Sequence, residues 1–580
     1  MAKDYSTWSK PELIRELKKI GERKKYGIVW EDKPEEVVEL CKTKLPVLEE
    51  LKKREIATSK EDPTNILIEG DNYHALSVLN YTHKGEVDLI YIDPPYNTGS
   101  KDFVYNDRYV DTEDGYRHSK WLNFMDKRLR LAKNLLKNDG IICISIDENE
   151  QAQLKLLCDE IFGETNRIST LHIQVRYSGK TLNEKNDWQP VMEYVLIYAK
   201  NGNSFRANKP TVEYSIDKFN YEIKELTQGT EILVKNRRVT IFKKGEWKIL
   251  KHTESGKNLL KETWVSGSIY SGTGNGTMVQ NVIEPRVLVD GYGSLYKIEG
   301  LGEDGLGFRY FTGPQKVGAT RSKMYTGIPT VRAEELNEGN AVRYLSIPNY
   351  YDFSPDFGNI RSEGGVPFNS GKKPVKMLKQ IINYHKNKNA TILDFFAGSG
   401  TTAHAVMEIN KFDSGSRKFI LCTDNEDNTG SGTKIAEDIC YQRIMNVIKG
   451  YNHKTGLGGT LKYFKTAFVD SAPSDENKRI LVDKSTEMLC LKEDCFDNLT
   501  EGKEYKAFTN SKNNLLGIIY DDAGIEPFKK FIRETNKKFV VYVFSLDESA
   551  REEEFEDIRK LVELKPIPAV ILNVYKRIFK

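Results

Sequence analysis

Between residues 64 and 200 the chain alternates short, wholly apolar runs with longer stretches in which apolar residues return every three or four positions. The runs lie in NILIEGD, EVDLIYIDPPY, DGIICISID and PVMEYVLIYAK, each bounded by Asp, Gly or Pro and rich in Ile and Val. Such runs predict buried strands of a parallel sheet, with amphipathic helices such as 120–136 between them. A second set follows a long interval: a helical PVKMLKQIINYHK, a strand ATILDFF, a glycine turn AGSG, a helix TTAHAVMEIN and a strand RKFILCTD. The two sets together predict one open α/β sheet assembled from 56–200 and 371–460.

The interval, about 201–370, is rich in glycine, carries short alternating stretches such as EILVKNRRVTIFKK and shows no long helical period. It predicts an inserted, mostly β or irregular domain. Residues 1–55 predict two helices, the first opened by Ser9 as N-cap with Pro11 and Glu12 in its first turn and Leu13, Leu17 and Ile20 on one face. From 461 the texture changes again. NNLLGIIYDD, PFKKFIRET, KKFVVYVFSL, REEEFEDIRKLVEL and IPAVILNVY predict strand, helix, strand, helix and strand in a small C-terminal α/β domain, 461–580.

A length of 580 residues fits several structural units. With 87 basic against 84 acidic residues the net charge is only +3, which excludes a polycationic tail but not a local basic face. Seven cysteines stand without CxxC or Cys/His spacing, so neither a zinc site nor a disulfide framework is signalled, and a reducing cytoplasm is expected. The first residues carry charge where a signal peptide is apolar, and no run approaches the ~20 apolar residues of a membrane span.

The sharpest local feature is Asp93-Pro94-Pro95-Tyr96 at the carboxyl end of the strand VDLIYI, where open α/β sheets present ligand-binding residues. Paired prolines stiffen the backbone and supply carbonyls, the Asp adds an acceptor, and the Tyr offers a flat ring. Two acceptors and a ring suit a planar amino group on a stacked base. A bare tetrapeptide of this kind also serves as an ordinary strand end. The second feature is Asp394-Phe-Phe396-Ala-Gly398-Ser-Gly400-Thr401-Thr402, a glycine turn between a strand and a helix whose first amides can face a ligand. This turn has neither the GxGxxG pattern nor a GKS or GKT ending.

Together these motifs resemble the N6-adenine DNA methyltransferases that use S-adenosylmethionine, with their D/N/S-PP-Y/F/W and FxGxG hallmarks. The catalytic motif precedes the cofactor motif across a long insert, which resembles the circularly permuted β group of that family. Gly70-Asp71-Asn72, Asn97-Thr98-Gly99 and Phe368-Asn-Ser-Gly-Lys-Lys373-Pro374 fall at matching places, so the resemblance covers about residues 60–460. The form IDPPYNTG followed by FVYNDRY, the length, and the ending PIPAVILNVYKRIF look most like the modification subunit of a type III restriction-modification system.

The resemblance implies a Rossmann-like methyltransferase domain with a target-recognition insert, and site-specific methylation of adenine N6 in double-stranded DNA by base flipping. Asp93 and the Pro94 carbonyl would accept the amino hydrogens, with Pro95 in the motif, and Tyr96 would stack on the base. Phe396, Gly398, Gly400 and Thr401 would form the methionine side of the cofactor site with Asp394 beneath, Asp71 would reach its adenine, and Asn72, Thr402, Lys373 and Pro374 would also belong to the cofactor site; Asp424 or Glu426 would take the ribose. No metal is needed for transfer from a sulfonium. Asn97 and Phe103 are candidate DNA contacts, Phe103 as a second stacking wall. In the insert, Lys235, Arg237, Arg238, Lys243 and Lys244 with Lys248 form one basic patch, and Arg309, Lys316, Arg321 and Lys323 a second. Asp147 and Glu148 predict a turn. Expected partners are a second copy of the chain and a helicase-nuclease restriction subunit, with no membrane. Rivals are an orphan regulatory methyltransferase, a methylase of cytosine N4 or a protein amide, and a catalytically silent DNA-binding subunit.

Overall fold

The computed structural model describes residues 8–21, 28–59, 62–99, 102–106, 108–180, 187–234, 236–265, 279–319, 322–358, 360–367, 371–425, 432–472, 474–547 and 549–579. It divides into two compact units, one of 1–208 with 348–580 and one of 209–347.

The first unit is built on an eleven-stranded sheet: β1 (Lys44–Glu50), β2 (Ile56–Ala57), β3 (Ile66–Glu69), β4 (Val87–Ile92), β5 (Leu136–Ile146), β6 (Arg167–Gln174), β7 (Met192–Ala199), β8 (Tyr350–Asp352), β9 (Thr391–Asp394), β10 (Lys418–Thr423) and β11 (Thr460–Asp470). Their spatial order is β1-β11-β3-β10-β9-β4-β5-β7-β6-β8, with β2 on the side of β11. The centre from β11 to β5 is parallel, and its inner strands β3, β4, β9 and β10 are buried almost throughout because both faces are covered. On one face lies α4 (Arg117–Leu135), which buries Trp121, Leu122, Met125 and Leu129 beside α3 (Asn72–Thr82). The helices α5 (Val375–Ile382) and α6 (Thr401–Asp413) pack together elsewhere on the unit.

Several expectations change. Ser9 does open a helix, α1 (Lys10–Gly21), and Glu12 Oε2 accepts from the Ser9 amide at 2.8 Å in a capping-box contact. The second N-terminal helix is only the short α2 (Glu36–Leu40), and Lys44–Glu50 is a strand, whose Pro46 is tolerated because β1 is the sheet edge. The run PVMEYVLIYAK is antiparallel to its neighbours. Residues 460–470 are not the start of a C-terminal domain: they form β11, inside the main sheet. The C-terminal five-stranded sheet begins at Asp497 and its residues Leu516, Ile518 and Tyr542 share a core with α3. Within it IPAVILNVY is no strand but part of the helix Ala569–Ile578, and REEEFEDIRKLVEL is a 3-10 turn followed by the strand Val562–Ile567. A short apolar run has no period that separates strand from buried helix, and Pro568 just ahead favours a helix start.

The second unit is shorter than 201–370, since Tyr350–Asp352 extends the main sheet from Arg167–Gln174. Its eight-stranded sheet runs, in spatial order, Thr230–Val234, Arg237–Phe242, Leu295–Glu299, Phe308–Thr312, Lys323–Thr326, Leu260–Trp264, Phe219–Glu225 and Trp247–Lys251, all antiparallel. Alternation puts Val239, Ile241, Tyr296 and Ile298 in one cluster and Phe242, Leu295 and Tyr310 in another.

Among the described residues no helix is long and apolar enough to cross a membrane, and no group of His, Cys, Asp and Glu is placed to hold a metal ion. All seven cysteines are buried and unpaired.

Candidate active site

Strands β4 and β9 are separated by some three hundred residues of chain yet pair in register, Ile392 with Leu89 and Leu393 with Ile90. Parallel pairing brings their carboxyl ends to one edge of the sheet. The Asp93–Tyr96 segment and the Asp394–Thr402 turn therefore line the same cavity, of about 430 Å³, together with Lys373, Thr98, Asp102, Thr423 and Asp424.

On the β4 side four polar groups converge. Lys373 Nζ lies 3.0 Å from Asp93 Oδ2 and 3.3 Å from Glu193 Oε2. The Tyr96 hydroxyl stands 2.9 Å from Asp93 Oδ1 and 3.1 Å from Glu193 Oε2, and the Lys373 ammonium is 4.9 Å from the centre of the Tyr96 ring. Burial raises the Asp93 pKa above the usual carboxylate range; the Lys373 charge and the Tyr96 hydroxyl oppose this and Glu193 adds to it. For Lys373 burial works against the charge, but the two carboxylates outweigh it and hold the ammonium above its ordinary value. Pro95 gives its carbonyl to Trp121 Nε1 at 2.7 Å, which fixes the proline pair from beneath, while Pro94 lines the cavity.

On the β9 side Asp394 accepts from Thr402 Oγ1 at 2.5 Å and from the Phe396 amide at 3.0 Å. Burial still pushes its carboxyl up to about 7 against both bonds, with nearby Asp93 contributing. Gly398 and Gly400 have φ of +48° and +75°, the left-handed region that glycine enters without a Cβ penalty. A Cβ on Gly398 would meet little but the cavity, its nearest neighbour being Phe396 O at 3.9 Å, whereas one on Gly400 would sit 3.0 Å from Cys440 Sγ. Beneath the turn the fully buried Arg443 donates to Thr401 Oγ1 at 2.7 Å and Ser399 Oγ at 3.1 Å, and pairs with Glu363 at 3.1 Å.

Other expected residues are placed differently. Asp71 caps α3 through the Tyr73 amide at 2.7 Å and meets Arg128, while Asn72 donates to Phe395 O at 3.1 Å and accepts from Arg128; neither lines the cavity. They tie α3 to the glycine turn. Lys373, expected beside the cofactor, puts its ammonium on Asp93; Pro374 starts α5. Phe103 is not a wall of the cavity: it is 1% exposed and packs on Phe124 and Tyr105 in the core. Asn97 is buried too, at φ +57°, with its amide 2.5 Å from Glu150 Oε1, so it shapes the loop after the motif instead of facing DNA. Asp147 closes a turn on Asn149, as expected. Glu426 lies outside the described residues; Asp424 lines the cavity.

Three residues escaped the sequence. Glu193 is the lone carboxylate at the head of an apolar strand, and only the antiparallel direction of β7 brings it to the site edge. Asp102 lines the cavity and receives the Thr98 amide at 2.9 Å through Oδ2, while its buried Oδ1 has no hydrogen-bond partner among the described residues. Arg443 gave no local signal.

In the second unit Arg238 is exposed, 3.7 Å from Glu299, and Lys243 and Lys244 are exposed at a hairpin turn. Arg237 is tied to the Gly300 carbonyl at 2.9 Å, Arg309 is half-buried, and Lys323 pairs with Glu262 beside the exposed Trp264 ring. Lys235 and Arg321 lie outside the described residues.

Comparison with known proteins agrees with this geometry. Residues 87–429, more than half of the chain, match the family described as DNA methylase. The type III restriction-modification enzyme StyLTI Mod subunit of Salmonella typhimurium is 33% identical over 440 residues, covering 70% of this chain and 60% of that one. The EcoPI Mod subunit of Escherichia phage P1 is 29% identical over 424 residues, covering 66% and 61%, and the type II methyltransferase M.KpnI of Klebsiella pneumoniae 29% over 407 residues, covering 69% and 90%. The matches thus span about three fifths of the length of the two Mod subunits. With both motifs on one cavity inside the matched region, the chain belongs to the DNA methylase family.

Proposed function

We propose that the chain transfers a methyl group from S-adenosylmethionine to N6 of adenine within a short DNA sequence, as the modification and specificity subunit of a type III restriction-modification system. The observation that carries this is the single cavity shared by Asp93-Pro94-Pro95-Tyr96 and the Asp394–Thr402 turn. The kinship with Mod subunits supports the system assignment.

The cavity's residues suit the cofactor. The open side of Gly398 leaves room for a ligand, Asp424 stands at the end of β10 for ribose hydroxyls, and the unpartnered Asp102 Oδ1 is an acceptor suited to a cationic amino group. S-adenosylmethionine supplies, when bound, a methyl group already activated on sulfonium. The chain's own residues do the rest by position and electrostatics. An adenine amino group is a poor nucleophile while its lone pair is delocalised into the ring. Asp93 and the Pro94 carbonyl accept its two N–H bonds and draw the nitrogen towards tetrahedral geometry, and Tyr96 stacks on the base. Lys373 must release Asp93 Oδ2 for this, and Glu193 is its second anchor. A base inside a duplex cannot enter such a cavity, so it is extruded, at a cost of a few kcal/mol.

The motif order corresponds to the permuted β group. The second unit reads the sequence, the C-terminal α/β region serves contacts with a second copy or with a restriction subunit, and the enzyme works in the cytoplasm. Methylome sequencing of a strain with and without the chain is the test. N6-methyladenine at one motif, present only with the chain, is expected; N4-methylcytosine or no new mark would refute it.

A further inference from the structure

Arg443 stands near the start of the helix Gln442–Lys449 and is wholly buried, yet its side chain ends on two residues of the cavity wall. One terminal nitrogen donates to Thr401 Oγ1 at 2.7 Å and to Ser399 Oγ at 3.1 Å, while the other meets Glu363 Oε2 at 3.1 Å. Glu363 is held in turn. Both its oxygens accept from the Val375 amide at 3.3 Å, and buried Lys372 grips the carbonyls of Arg361, Glu363 and Val366 around it. Gly364, at φ +79°, comes so close that a Cβ there would lie 2.5 Å from Arg443 Nε. The guanidinium is thus held in one place, with its fork towards the glycine turn.

A guanidinium has donors and no acceptor, so a hydroxyl bonded to it accepts and must turn its own hydrogen elsewhere. Ser399 and Thr401 therefore have two hydrogens to place. Their mutual contact, 3.3 Å between the oxygens, uses one at most, and among the described residues no other side chain takes the second. Both residues line the cavity, which is where a hydroxyl donor is left to point. Two further observations identify what it meets. Thr401 is the first residue of α6, thirteen residues long and without a side-chain cap, so the amides of its first turn favour an anion at the same place. In the same cavity Asp102 Oδ1 is a buried acceptor with no partner among the described residues. Donors at one point and an anionic acceptor at another complement an α-amino acid group, its carboxylate on the donors and its ammonium on the acceptor.

We propose that Arg443 is a positioning residue of the cofactor site. By occupying the acceptor side of Ser399 and Thr401 it commits their hydroxyls to donate to the α-carboxylate of S-adenosylmethionine, a group the arginine itself does not touch. This role rests on the cofactor reading above and deepens it, naming what receives the carboxylate and what makes the two hydroxyls donors. Without the arginine each hydroxyl is free to rotate and to show the ligand a lone pair instead of a hydrogen.

Calorimetry on the full chain with two ligands tests this: S-adenosylhomocysteine, and the same molecule with hydrogen in place of the carboxylate and the amino group kept. The unsubstituted chain should bind the first at least about tenfold more tightly, the worth of a hydrogen bond to a charged group. Arg443→Lys keeps a cation opposite Glu363, so the fold should hold, but a point-charge ammonium loses the planar fork that reaches both hydroxyls. It should weaken S-adenosylhomocysteine about tenfold and leave the decarboxylated ligand within about twofold. Ser399→Ala with Thr401→Val removes the hydroxyls and no buried charge, and should give the same selective loss. Added to that pair, Arg443→Lys should cost less than about twofold more, since its effect runs through the two hydroxyls. Equal loss of both ligands makes Arg443 a general support of the turn and overturns the proposal, as does no loss of either, or a full further loss once the hydroxyls are gone. Equal binding of the two ligands by the unsubstituted chain overturns the carboxylate contact and leaves the cofactor reading standing. Binding of neither refutes the cofactor reading, and the role of Arg443 with it.

Discussion

Lys373 Nζ is shared between Asp93 Oδ2 at 3.0 Å and Glu193 Oε2 at 3.3 Å, one ammonium held by two carboxylates. Asp93 is the group whose ionised oxygens would take an amino hydrogen, so its neighbours set the pH at which it can do so. Removing the carboxylate is the simplest probe. Asp93→Ala should abolish methyl transfer and leave binding of S-adenosylhomocysteine and DNA within about threefold, since in the proposed mechanism Asp93 meets the reacting amino group and neither the methionine nor the phosphates. Tritiated methyl incorporation beside a binding titration checks it; near-normal turnover in a folded variant would remove Asp93 from the chemistry.

The shared ammonium predicts opposite pH shifts. Burial raises the Asp93 pKa, Lys373 lowers it and Glu193 raises it. The proposed transfer uses the carboxylate, so kcat/KM should rise with pH through the Asp93 titration. Lys373→Met takes away the lowering influence and should move that acid limb to higher pH, whereas Glu193→Gln takes away a raising one and should move it lower. Profiles recorded over about pH 5 to 9 decide it. Shifts in the same direction would mean the limb belongs to another group.

The inner strands β3, β4, β9 and β10 were legible because they are short apolar runs bounded by Asp or Gly, and the two motifs because each stands where a strand meets a turn, whereas the mixed polar strands β1 and β11 were not. What stayed hidden depends on direction or depth. Glu193 looks like a strand flank until antiparallel pairing carries it to the site. Phe103 and Phe124 are both aromatics near the motif, and only packing sends Phe103 into the core and sets Phe124 5.8 Å from the Phe396 ring. The 569–578 helix shows the same limit, since its apolar residues are as contiguous as those of any strand.

The glycine turn predicts a binding defect. At φ +48° a valine at 398 is strained, and its branches would project into the cavity. Gly398→Val should weaken S-adenosylhomocysteine binding by more than about tenfold, which corresponds to ~1.4 kcal/mol. Calorimetry measures it; unchanged affinity would leave the turn a structural corner only.

Asp394 makes stability pH-dependent. Its carboxyl is held at about 7 in the folded chain, against 3.8 for an unburied one. Between those values the folded state binds the extra proton, so this group's contribution is most favourable at low pH and is lost as pH rises to about 7. Asp394→Asn keeps an acceptor and does not titrate. Relative to the unsubstituted chain, its melting temperature should therefore be more favourable at about pH 8 than at about pH 5. Parallel curves would show that Asp394 does not titrate in this window.

The last prediction separates sequence reading from chemistry. The second unit has its own sheet and core, and its ends at 209 and 347 make it exchangeable as a block. Replacing it with the counterpart from a relative of different specificity should move the methylated motif and leave the product N6-methyladenine. Within it Arg238 is exposed and only loosely paired with Glu299 at 3.7 Å, so its planar fork can reach a base edge. Arg238→Ala should relax one position of the motif at a cost of roughly 1–3 kcal/mol. Lys243, exposed at a hairpin turn, is placed as a point charge for phosphate, and Lys243→Ala should weaken binding to all sequences and lower the salt slope by about one. Methylome sequencing with binding at two salt concentrations separates these outcomes. A chimera that folds, binds cofactor and still marks the original motif would place specificity in the first unit, leaving the inserted sheet to hold the duplex by its charge alone.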